Sequence, residues 1–87
     1  MNQGRKIVVA AGLKPSTVGP LRTILQSWAH VEVTSQLRHA IARVKQHRPT
    51  LVILPADRGA GLAACDRLGT DESLGKPLVW LLSEEGL

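Results

Sequence analysis

Three apolar runs set the terms for this chain: Lys6–Ala11 (KIVVAA), Leu51–Leu54 (LVIL) and Leu78–Leu82 (LVWLL). Beyond the leading Lys6 none carries a charge, and each is too short for a buried helix, so each reads as a strand covered on both faces. Between them lie stretches with helical spacing. Val18, Leu21, Leu25 and Trp28 recur at intervals of three and four, predicting a helix capped by Ser16 or Thr17 and running to about Trp28. Pro20 suits that helix only in its first turn. Leu37, Ala40, Ile41 and Val44 mark a second amphipathic helix, closed by Pro49. Val31–Ser35 (VEVTS) alternates like an edge strand. Gly59–Gly61 reads as a loop, and Leu62–Leu68 as a short helix ended by Gly69.

The order is β-α-β-α-β-α-β, and helical crossovers between apolar strands specify a parallel α/β sheet in one domain spanning residues 1–87. A single cysteine in 87 residues excludes an internal disulfide framework and suits a reducing cytoplasm. No apolar run approaches the roughly 20 residues of a membrane-spanning helix, and no signal-peptide pattern precedes the first strand. Trp28 and Trp80 are the only aromatics, too few for a base-stacking surface. Trp28, in the stripe of the first helix, reads as core.

The stretch Ala40-Ile-Ala-Arg-Val-Lys-Gln-His-Arg-Pro-Thr-Leu-Val-Ile-Leu54 resembles the second helix and third strand of a bacterial response-regulator receiver domain. Gly61-Leu-Ala-Ala-Cys-Asp-Arg-Leu68 is similar to the third helix of that family. Lys6-Ile-Val-Val9 resembles its first strand, and Lys76-Pro-Leu-Val-Trp-Leu-Leu-Ser83 its fourth. The resemblance implies a flavodoxin-like sheet that lacks the fifth βα unit. It also implies a degenerate site. The acidic pair that holds Mg²⁺ in receivers is replaced by Ala10 and Ala11, and the phospho-accepting aspartate by Pro55. Leu82 stands where the hydroxyl residue ends the fourth strand, with Ser83 one step late, and the lysine of the fifth strand has no counterpart. Methyl groups offer Mg²⁺ no oxygen ligands. Asp57, two residues past the acceptor position, is either a displaced acceptor or an ordinary loop aspartate.

On this resemblance the chain is expected to be a non-catalytic pseudo-receiver signalling module, without metal or cofactor, acting by protein–protein contact. Leu78, Val79, Trp80, Leu81 and Leu82 form an edge strand with no charge, proline or bulge to protect it. They are the expected interface, met by a second copy or by a protein supplying the missing unit; the alternative is that the C-terminal SEEGL folds back over the edge.

Two other function classes stay open. Gly59-Ala-Gly-Leu-Ala-Ala64 matches a dinucleotide fingerprint, with Glu84 as the ribose-binding acid, although Pro55–Arg58 separates strand from glycines. Arg38, Arg43, Lys45 and Arg48 make the second helix basic opposite its apolar face. The chain carries a net charge of +4; such a face is either solvated or a contact for an anionic partner such as nucleic acid. His30, His39, His47 and Cys65 are the only other metal-ligand types to note. His39 and His47 lie about two turns apart on one helix, roughly 12 Å, too far to share an ion directly.

Overall fold

A computed structural model describes residues 6–85. Four strands, β1 (Lys6–Ala11), β2 (Ala29–Thr34), β3 (Leu51–Pro55) and β4 (Leu78–Leu82), alternate with α1 (Pro15–Leu25), α2 (Ala40–His47) and α3 (Gly59–Thr70). The sheet is wholly parallel, in the order β2-β1-β3-β4. This is the flavodoxin-like arrangement as far as its fourth strand.

The apolar runs dictate the layers. Alternate residues of β1 and β3 point to opposite faces. Val9, Ala11, Val52 and Leu54 pack with Leu37, Ala40 and Val44 of the α2 segment and Leu68 of α3. On the other face Val8, Ala10, Leu51 and Ile53 meet Leu25, with Val18 and Leu21 of α1 partly buried against them. Every residue of β3 is buried, as its charge-free sequence requires.

Several boundaries differ from the sequence expectations for identifiable reasons. Neither Ser16 nor Thr17 caps α1; Lys14 holds the N-cap position without a side-chain bond, and Pro15 takes the first turn. Pro20 therefore lies inside the helix, where its ring faces solvent and the Ser16 carbonyl loses its helical donor. The helix stops at Leu25, and Trp28 sits in the following turn, exposed rather than core. β2 starts two residues earlier than Val31, because Ala29 and His30 pair with Lys6 and Ile7 of β1. A 3₁₀ turn, Leu37–His39, leads into α2, which ends on Arg48 in the left-handed region at φ 49°.

The largest difference is at Gly59–Gly61. These residues open α3 instead of forming a loop, and Gly69 lies inside it. Gly61 faces the strand so closely that a Cβ there would sit 2.2 Å from the Pro55 carbonyl oxygen. Its missing side chain is what lets the helix start against β3. Gly12 ends β1 at φ +73°, turning the chain over Leu37.

Candidate functional site

The positions that the sequence resemblance aligns with the receiver site come together at the C-terminal ends of β1, β3 and β4. Ala10, Ala11 and Pro55 are buried and Leu82 is half-buried, so no carboxylate ends β1 or β3. Among the described residues no group of three or more histidine, cysteine or acidic side chains is placed to hold a metal ion.

Asp57 and Ser83 nevertheless meet. The Ser83 hydroxyl donates to Asp57 Oδ1 at 2.9 Å. Asp57 Oδ2 accepts from the backbone N–H of Glu84 at 2.5 Å and of Glu85 at 3.1 Å. Glu84 in turn accepts from the Lys14 N–H at 2.8 Å. Arg58 donates to the Gly12 carbonyl at 3.2 Å, joining the β3–α3 loop to the end of β1. The carboxylate thus fastens residues 83–85 across the C-terminal ends of the strands, and the last two residues of the SEEGL segment lie outside the described residues.

Those bonds, chiefly the Glu84 N–H and then the Ser83 hydroxyl, hold the Asp57 carboxyl below its ordinary value of 3.8. A lowered native pKa means the clip is intact above 3.8 and is lost as pH falls through the lowered value. The amide proton shifts of Glu84 and Glu85, followed by NMR, are expected to titrate with a midpoint below 3.8. In Asp57→Ala the two amides should show no such step and exchange faster at neutral pH; unchanged exchange would contradict the clip.

The remaining candidates are dispersed. The basic residues of the α2 segment form no single face. Arg38 borders a groove of about 270 Å³ between α2 and α3, lined also by Leu37, Ile41, Ala60, Ala63, Ala64 and Arg67. Lys45 acts on Asp71, Arg43 acts on Glu32 of β2, and Arg48 lies at the helix end beside Gly75. His30 pairs with Glu32, holding that carboxyl below its ordinary range, and the His47 ring nitrogen lies 3.7 Å from the same carboxylate. Cys65 is a free thiol, partly buried against the α2–α3 core, and His39 is exposed. Of the nucleotide fingerprint, Gly61 is taken up in packing on Pro55, while Glu84 is held at the β1–α1 loop.

What the structure does gather is apolar surface on β4. Leu78 is 68% exposed, Trp80 51% and Leu81 42%; among the described residues Ile24 (66%), Leu62 (49%) and Trp28 (43%) are the other exposed large hydrophobics. β4 is a sheet edge, paired only with β3. Alternation puts Leu78, Trp80 and Leu82 on the α1 face, and Val79 and Leu81 on the α3 face.

Helical phase fixes which way the exposed flanks of α1 and α3 turn. With Val18, Leu21 and Leu25 on the sheet, a right-handed crossover turns the flank of α1 bearing Ile24 toward β3 and β4. Trp28 follows one turn on. In α3 the flank with Ala60 and Arg67 lines the groove with α2, so Leu62, on the opposite flank, faces the open side over β4. Sequence reasoning named β4 but missed Ile24 and Leu62. Their signal was there: each lies about a quarter-turn off the buried stripe of its helix.

The described helices include none long and apolar enough to cross a membrane. No family model, no curated protein and no solved structure matches the chain.

Proposed function

We propose that this chain is a non-catalytic, receiver-like module that works by protein–protein association through the β4 edge, without phosphoryl transfer. The observation that carries the reading is the exposure of Leu78, Trp80 and Leu81 on one uncovered, charge-free strand, with exposed Leu62 on the helix packed against it. Native sheets seldom leave such an edge open, because its free backbone groups and apolar side chains pair with any strand that reaches them. A protein partner that adds a strand satisfies both at once.

The degenerate pocket supports the same reading. With Ala10 and Ala11 at the end of β1 there are no oxygen ligands for Mg²⁺, and Pro55 has no acceptor atom for a phosphoryl group. Asp57 lies two residues past Pro55, and both its oxygens are committed to Ser83, Glu84 and Glu85. Signalling would then depend on who is bound at β4. The reducing cytoplasm suits such a module with its free Cys65.

Incubation with a small phosphodonor and Mg²⁺, followed by intact-mass measurement, is the chemical test. No phosphoryl mass should be added. An adduct mapped to Asp57 would overturn the non-catalytic reading.

A further inference from the structure

We infer that the partner at the β4 edge is a second copy of this chain, paired antiparallel about a two-fold axis at Trp80. This rests on the association proposed above and names its occupant and register.

The backbone selects the register. The Leu78 N–H donates to Thr50 O at 3.0 Å, and the Leu82 carbonyl accepts from Ala56 N–H at 2.9 Å. In a parallel ladder bonding alternates along the strand, so Leu78, Trp80 and Leu82 bond to β3 while Val79 and Leu81 turn their N–H and C=O groups outward. Antiparallel pairing joins residues of the same kind, so Val79 and Leu81 must meet each other or themselves. Centring on Val79 would bring Leu81 against Pro77, which has no N–H to give. Centring on Leu81 would need Ser83 as a strand residue, but the chain has left the strand there, with Glu84 and Glu85 bound to Asp57. Centring on Trp80 matches Val79 with Leu81 of the second copy twice over and satisfies all the outward groups.

The charges agree. Lys76 precedes β4, and Glu85, its side chain exposed, follows it, while the Glu84 carboxylate is taken up by the Lys14 N–H. Antiparallel pairing about Trp80 sets the basic start of each strand beside the acidic end of the other, whereas a parallel approach would set like beside like. Leu78 then lies opposite Leu82, and the two Trp80 side chains form a cross-strand pair at the axis, where side chains approach most closely. An isologous contact of this kind closes on itself and uses up the β4 edge of both copies.

Cysteine pairing tests the register while keeping Trp80. In a Cys65→Ala background, Leu78→Cys and Leu82→Cys chains mixed under mild oxidation should give a disulfide-linked dimer. Each alone should not, because like positions lie four residues apart along the strand, about 13 Å, beyond disulfide reach. Lys76→Glu and Glu85→Lys should each weaken self-association roughly threefold to tenfold, as two exposed ion pairs turned repulsive would. The double variant Lys76→Glu/Glu85→Lys should recover it. A dimer that forms no mixed disulfide and shows no recovery would overturn the register yet leave association at β4 standing. A wild-type chain that stays monomeric would overturn the second copy as occupant, and a Trp80→Lys chain that associates as the wild type does would overturn the β4 reading itself.

Discussion

Gly61→Ala is expected to lose most of the stability of this domain. The new Cβ would stand 2.2 Å from the carbonyl oxygen of Pro55, a backbone atom rather than a side chain able to swing aside. Neither partner can retreat cheaply. Pro55 pairs with Leu82 in the sheet, the next N–H is bonded to the Leu82 carbonyl, and α3 is anchored by fully buried Leu68. Overpacking at a site that cannot relax costs about 3 kcal/mol or more. Small domains have as little as about 5 kcal/mol in total. Gly59→Ala is the matched control, since a Cβ at Gly59 meets nothing within 4 Å. It should be neutral or stabilising by up to about 1 kcal/mol through the unfolded chain. Urea unfolding of the two variants beside the wild type measures both effects; equal midpoints would show that α3 does not depend on this contact.

The same glycine explains what could be read in advance and what could not. β1 and β4 stand where their apolar runs stood, and β3 is one residue longer. Continuous burial leaves an unmistakable trace in sequence, and the short connections then leave few topologies. The start of α3 was hidden because glycines before a helix commonly mark a loop, and only the approach of Pro55 shows that Gly61 is a packing residue. Pro20 misplaced the first turn of α1, since Pro15 already occupies it. Trp28 has the spacing of a core residue, but the helix ends before reaching it.

The site was legible in pieces. Asp57 and Ser83 each stood out from the receiver pattern, yet they lie 26 residues apart on different loops. Their bond exists only because β3 and β4 are neighbours and their ends come together. The basic residues misled in the opposite way: they share a helix in sequence, but its two flanks and end carry them to different neighbours. The β4 edge was legible because a charge-free strand at a sheet edge contradicts what exposure requires.

Trp80→Lys carries the second large effect. Trp80 is 51% exposed, so its replacement should leave the fold standing, as circular dichroism would verify. In the paired edge, by contrast, it would set two ammonium groups against each other at the axis, in place of the largest apolar side chains of the contact. Light scattering across a dilution series of wild type and Trp80→Lys therefore tests the central claim most directly. The association account predicts a wild-type mass of twice 9.4 kDa that falls only on strong dilution, and a variant at 9.4 kDa throughout. Equal masses for the two proteins at every concentration would contradict it.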